Sequence, residues 1–317
     1  MKKFISFMLY IVMMVILTCS CGKVAIDDSK LNIVCTVFPQ YDFVKNIVGD
    51  TAEVTMLVPL GIESHDFNFE NITAVNMKKV AKADMVIYIG GKSDGEWIEK
   101  LQENINNDKA IWLSMSDMVE KLVEQNSDSM VHEHDESQKH ESVYDEHVWT
   151  SPLRAKQIVQ VLCNKLCELG ADKSGFYQTN TEKYLNQLEQ LNLKLKSTVD
   201  NRKRDILVFA DRFPFRYLCE DYGLRYDAAF EGCSANADPS VLQITSLCDK
   251  AIDFGVKSIF YMENSNPVYA RQIAERVGGK AVLLHSCHTL SAEEINRGEN
   301  YISIMNNNIE KIAEALA

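Results

Sequence analysis

The sequence predicts an α/β protein built of two parallel-sheet lobes joined by one long, rigid α-helix. Short apolar runs rich in β-branched and aromatic residues alternate with helix-patterned segments in the first half of the chain and again in the second, and strand-helix alternation builds parallel sheets. Between the two sets lies an unbroken amphipathic segment of helical period. About 295 residues follow Cys21, more than one core usually serves, so two domains are expected.

The strand runs of the first half are Asn32 to Phe38, Glu53 to Val58, Met85 to Ile89 and Ala110 to Leu113. Those of the second are Ile206 to Ala210, Leu224 to Ala228, Ser258 to Met262 and Ala281 to His285. In the joining segment, Tyr177, Tyr184, Leu188, Leu191, Leu195 and Val199 recur mostly at intervals of three or four, which gives a helix one apolar face. At 1.5 Å per residue that helix is about 40 Å long, the width of a domain. Ser151-Pro152 opens a further amphipathic helix running from Ala155 to Leu169. By contrast, Glu124 to Glu146 holds almost no large apolar residues and is dense in His, Asp, Glu and Ser, a composition that predicts a mobile loop. The expected division is therefore a leader over 1–21, a tether over 22–30, a first lobe over 31–173 with its acidic loop over 124–146, the joining helix over 174–201 and a second lobe over 202–317.

The leader reads as an export signal. Lys2 and Lys3 precede a nearly unbroken apolar run from Phe4 to Leu17, short for a mature membrane span. It ends in Thr18-Cys19-Ser20-Cys21-Gly22, which resembles a bacterial lipoprotein box, with Cys21 the better lipidation site because small Ser20 precedes it. No later segment is apolar for long enough to cross a membrane. An extracytoplasmic protein anchored by lipid is expected, with an ordinary cleaved signal as the alternative.

The composition, 46% hydrophobic and 25% charged, is that of a globular protein. A net charge of -12 argues against nucleic acid and suits the attraction of cations. Seven of the nine cysteines lie beyond the lipid box, an odd number from which no full disulfide framework can be read. Cys163 and Cys167 fall four apart on a helix, where apolar packing is the simpler role. Cys233 and Cys287 are a candidate pair, and two separate buried thiols account for them equally well.

The seven histidines stand in three places: His65, a group from His132 through His147, and the pair His285 and His288. Imidazole is the commonest side-chain metal ligand near neutral pH. His65, His147 and His285 all lie at or beyond strand ends or helix starts, and ligands of open α/β sheets bind outside the carboxyl ends of strands. Together they predict a metal site, while His132, His134 and His140 form a looser, auxiliary metal-attracting loop. Glu63 and Asp145 could orient His65 and His147 through the second ring nitrogen.

These motifs carry a family resemblance. Val58-Pro-Leu-Gly-Ile-Glu-Ser-His65, then Glu146-His147-Val-Trp-Thr-Ser-Pro152, the long helix, and Tyr301-Ile-Ser-Ile-Met305 before Asn308 resemble the solute-binding proteins of zinc and manganese ABC transporters, the metal-binding cluster A-I family, in its zinc-uptake branch. The resemblance runs from about Asn32 to the C-terminus. It implies one metal held in a cleft between the two lobes, with His65 and His147 among its ligands, a Zn(II) cargo with Mn(II) as the alternative, and an ABC permease and ATPase as partners of a monomeric, non-enzymatic protein. Zinc members usually carry a His-Asp pair after the first strand of the second lobe, where this chain reads Ala210-Asp211. The missing imidazole is expected from His285, with Asp211, His288 or Glu263 in the fourth position. Three nitrogens and an oxygen suit tetrahedral zinc, whereas manganese favours an oxygen-rich shell. Two rival readings are an exported zinc hydrolase, for which no compact motif such as His-Glu-x-x-His occurs, and a surface adhesin or metal-buffering lipoprotein.

Overall fold

A computed structural model describes residues 29–123, 144–230 and 239–317. Cys21, His132, His134, His140 and Cys233, on which the lipid anchor, the auxiliary loop and the candidate disulfide rest, lie outside the described residues.

The described residues form two four-stranded sheets, each wholly parallel. The first comprises β1 (Leu31–Cys35), β2 (Ala52–Met56), β3 (Met85–Tyr88) and β4 (Ile111–Ser114) in the order β2-β1-β3-β4. The second comprises β5 (Ile206–Phe209), β6 (Arg225–Ala228), β7 (Ser258–Tyr261) and β8 (Lys280–Leu283) in the equivalent order β6-β5-β7-β8. Each overlaps one of the eight apolar runs of the sequence. The central strands β1, β3, β5 and β7 are the most thoroughly buried, as continuous Val/Ile/Phe runs covered on both faces should be.

Helices cross over between strands: α1 (Phe38–Val48), α2 (Ala74–Ala81) and α3 (Gly95–Asn104) in the first lobe, then α4 (Pro152–Leu169). The joining helix is α5 (Ser174–Asp200), which buries Tyr177, Tyr184, Leu188, Leu191, Leu195 and Val199, the apolar stripe of the sequence. The second lobe adds α6 (Arg216–Tyr222), α7 (Val241–Asp253), α8 (Val268–Val277), the short α9 (Ala292–Asn296) and α10 (Tyr301–Leu316). Their starts follow cap chemistry: Thr73, Ser240, Ser291 and Asn300 each accept the backbone N–H of the third helical residue. None of the described helices is long and apolar enough to cross a membrane.

The apolar packing does not divide at the lobes. One continuous cluster runs from Ile33 and Val86 of the first sheet through α5 to Phe209 and Phe260 of the second and on to Tyr301 and Ile312 of α10. A smaller cluster, with Val208, Ile259, Leu247 and Ile273, fills the far face of the second sheet beneath α7 and α8. The joining helix is thus part of the core. Buried hydrogen bonds add to the seam: Tyr301 Oη donates to the Trp149 carbonyl at 2.6 Å, Trp149 Nε1 to the Ser286 carbonyl at 2.8 Å, and Tyr217 Oη to the Asp145 carbonyl at 2.8 Å. At the half-buried edge, Arg154 of α4 makes a forked pair with Asp221 of α6, its Nη2 and Nε at 2.8 and 2.9 Å from the two carboxylate oxygens. These are the geometries in which a planar guanidinium gains most.

Candidate metal centre

Three imidazoles converge at the seam. His65 sits in a short 3-10 turn, Ser64–Asp66, that follows β2. His147 precedes the 3-10 turn Val148–Thr150 that leads into α4, and His288 lies on the segment that leaves β8. Their potential ligand nitrogens all lie within 4.8 Å of one another. The rings are 5.8 Å (His65 and His288), 4.9 Å (His147 and His288) and 6.2 Å (His65 and His147) apart at their centroids. Side-chain exposure is 14% for His65, 2% for His147 and 0% for His288, so the cluster is closed to bulk water on nearly every side.

Two of the rings are positioned through their Nδ1 atoms. His147 Nδ1 is 2.9 Å from Asp145 Oδ1, which also accepts the His147 backbone N–H at 2.8 Å. That is the orienting role expected of Asp145. His288 Nδ1 is 2.6 Å from Ser286 Oγ. Glu63, expected beside His65, instead accepts from Asn264 Nδ2 at 3.1 Å and lies 4.0 Å from His288 Nδ1. Burial of His65, then the neighbouring His147, Arg212 and Lys92, push its pKa down to about 3. Burial, with His147 and His65 beside it, likewise drives His288 well below the ordinary imidazole value. Both are therefore neutral at physiological pH, the form that binds a cation. His65 Nε2 and His288 Nε2 are buried with no hydrogen-bond partner among the described residues, an arrangement that costs folding free energy unless something fills it.

The third ring that the structure groups with His65 and His147 is His288, whereas His285 stands outside the group. β8 ends at Leu283 and the chain turns at Cys287, whose φ of 65° lies in the left-handed region. That turn brings the Cys287 N–H onto His285 Nδ1 at 2.9 Å and sets His285 Nε2 3.4 Å from Glu294 Oε1, away from the cluster. Burial alone would lower the His285 pKa, but the charge of Glu263 and the contact with Glu294 outweigh it and hold the ring well above its ordinary value. With Nδ1 accepting the Cys287 N–H and Nε2 facing Glu294, neither ring nitrogen of His285 is turned to the cluster. Asn308 clamps this segment, accepting from His285 N at 3.0 Å and donating to the His285 carbonyl at 2.7 Å.

The candidates for the fourth position are also engaged elsewhere. Asp211 accepts the backbone N–H of Met262 at 3.0 Å and of Arg212 at 2.8 Å, one on each oxygen. Glu263 takes the Ser286 N–H at 2.7 Å on one oxygen and the Ser286 hydroxyl on the other. Each braces a strand-end loop. From the sequence Tyr217, with Phe213 and Phe215, reads as core packing that shapes the cleft, and Trp149 has no part. Both tie the cluster's turns together across the seam, which the sequence does not show because the hydrogen-bonding role of a buried aromatic depends on its tertiary neighbours. A cleft of about 700 Å³ opens between the lobes beside the cluster, lined among others by Glu63, Asp66, Arg212, Asn264 and Tyr269.

Fold and site together define a two-lobed α/β binding protein with a buried imidazole cluster suited to a metal cation. Comparison with known proteins agrees with that class. The family described as "Zinc-uptake complex component A periplasmic" matches residues 33–315, and the chain belongs to it. The zinc-binding lipoprotein AdcA of Streptococcus pneumoniae is 29% identical over 314 residues, 99% of this chain and 61% of the relative. The chain thus spans about three fifths of the length of the streptococcal proteins it matches. The high-affinity zinc uptake system protein ZnuA of Bacillus subtilis is 26% identical over 307 residues, 95% of this chain and 94% of the relative. Among solved structures, the Zn(II)-bound ZnuA-like domain of Streptococcus pneumoniae AdcA superposes with a TM-score of 0.71 at 27% identity, covering 90% of this chain and 99% of that one.

Proposed function

We propose that this protein captures Zn(II) outside the cytoplasmic membrane and hands it to an ABC permease energised by its ATPase, acting as a monomer tethered by lipid on Cys21. The observation that carries the reading is the cluster of His65, His147 and His288, three nitrogen donors within 4.8 Å of one another that could hold one ion. Neutral imidazoles at that spacing suit zinc at about 2.0 to 2.1 Å per Zn–N bond, whereas manganese is better served by carboxylates and water. The zinc-binding names of the relatives support the same cargo. Family membership leaves the hydrolase alternative without support.

His65 and His147 belong to the first lobe and His288 to the second. Because the apolar core and the buried hydrogen bonds run unbroken across the seam, a wide clamshell opening would break a large packed interface. Release therefore proceeds by local displacement of the segment that carries His288. The test is calorimetric zinc titration of four alanine variants. His65→Ala, His147→Ala and His288→Ala should each weaken binding by more than about 100-fold, beyond what loss of an outer partner costs. His285→Ala should retain affinity within about tenfold. Undiminished binding in His288→Ala together with lost binding in His285→Ala would reverse the assignment.

A further inference from the structure

We propose that Glu146 is the fourth inner ligand, completing the shell begun by the three imidazoles; this rests on the three-histidine reading above. Glu146 is 5% exposed, and its two oxygens are treated differently. Oε2 accepts the Ser93 backbone N–H at 3.0 Å. Oε1 is buried without a hydrogen-bond partner among the described residues and stands 3.4 Å from His65 Nε2, which is equally without one. A bare carboxylate oxygen in the interior is costly unless a cation meets it.

The spacing of this one pair fits a shared ion; Glu146 stands outside the group of His65, His147 and His288 whose ligand atoms all lie within 4.8 Å of one another, so its oxygen moves inward as the ion binds. Two ligands bonded to tetrahedral zinc at about 2.0 to 2.2 Å lie about 3.3 to 3.6 Å apart, and the two bare atoms are 3.4 Å apart. The side chain is also held in place by its surroundings. A methyl group on Gly91 would fall 1.9 Å from Glu146 Oε2, so the β3–α3 loop closes on the carboxylate as only glycine allows. Among nearby carboxylates, Asp211 and Glu263 have both oxygens engaged, and Glu63 faces the Nδ1 side of His288. Glu63 Oε2 is bare as well, but it lies 4.0 Å from His288 Nδ1, which already meets Ser286 Oγ; of these four, Glu146 has the bare oxygen beside a bare cluster nitrogen. The shell would then be three imidazoles and one carboxylate, with three of the four ligands drawn from the first lobe.

The experiment uses the mature chain loaded with Zn(II), and with Co(II) as a spectroscopic probe of ligand number and type. Glu146→Gln keeps the shape and an acceptor for Ser93 while removing the charge. It should weaken zinc binding by more than about 100-fold and change the visible absorption of the Co(II) form, with a urea midpoint in the metal-free protein no lower than that of wild type. Affinity within about threefold of wild type, or weakened binding with an unchanged Co(II) spectrum, would overturn ligation by Glu146. His65→Ala and His288→Ala run alongside: if they lose binding while Glu146→Gln does not, the three-histidine site stands and this proposal fails. If none of the three loses binding, both readings fall. Should Glu146→Gln not fold, anomalous diffraction from zinc-loaded wild type decides, with a Glu146 oxygen about 2.0 to 2.2 Å from the ion in support and one beyond about 3 Å against.

Discussion

Tyr301→Phe isolates one strand of the seam that carries the site. The hydroxyl donates to the Trp149 carbonyl at 2.6 Å in a fully buried setting, and the ring packs edge-on against Phe43 with centroids 4.9 Å apart. Phenylalanine keeps the ring, its burial and the Phe43 contact, so the change is confined to a single oxygen. What it leaves is a buried peptide carbonyl without its donor, a loss of about 1 to 3 kcal/mol. Because burial holds the Tyr301 pKa well above the ordinary value, the donor is intact at any working pH and the effect should not depend on pH. For domains of 150 to 250 residues each kcal/mol lowers Tm by roughly 2 to 4 °C, so the variant of this somewhat longer chain should melt roughly 2 to 12 °C earlier. Scanning calorimetry of the metal-free protein reads this directly, and zinc titration should show affinity within about tenfold, since Trp149 Nε1 still holds the Ser286 carbonyl. An unshifted Tm would mean that the Trp149 carbonyl is satisfied some other way and that the seam is weaker than its geometry implies.

Two further outcomes follow from buried groups around the seam. Burial pushes the Asp42 carboxyl from 3.8 up to about 6, against the lowering effect of the 2.7 Å bond from Tyr184 Oη. A folded-state pKa above the unfolded one contributes stability present at low pH and lost as pH rises through about 6. Asp42→Asn removes that loss and should gain on wild type by at most about 3 kcal/mol between pH 4 and pH 8; urea unfolding curves that shift in parallel across this range would contradict it. Gly91→Ala should lower the urea midpoint by an amount equivalent to about 1 to 3 kcal/mol through overpacking against Glu146, whereas Gly95→Ala, with nothing within 4 Å of the added methyl, should be neutral or stabilising. Equal behaviour of the two glycine variants would show that the loop yields freely.

Much of the fold was legible because it rests on periodicity. Continuous runs such as Met85 to Tyr88 and Ile206 to Phe209 are apolar on both faces, as strands of covered parallel sheets must be. The α5 stripe from Tyr177 to Val199 marks its buried face residue by residue. His65 and His147 were legible because each follows a strand or precedes a helix start within a distinctive local motif. The choice between His285 and His288 was not. Both stand just past β8, three residues apart, and the outcome depends on a left-handed turn at Cys287 and on Glu263 and Glu294 arriving from other elements. Glu146 was hidden for the same reason: beside His147 it reads as an ordinary loop charge until Ser93 and Gly91 are seen to close on it.

The sequence by itself determined the two sheets, the joining helix and the histidine-bearing segments, since local hydrophobic pattern and residue chemistry act over a few positions along the chain. Only the tertiary structure decided which ring completes the cluster, which carboxylate oxygen is left bare beside it, and that the two lobes share one core. Those depend on distances between atoms that are far apart in the chain, such as the 3.4 Å from His65 Nε2 to Glu146 Oε1. Electrostatic and hydrogen-bonding energies change steeply over such distances, and no pattern of nearest neighbours encodes them.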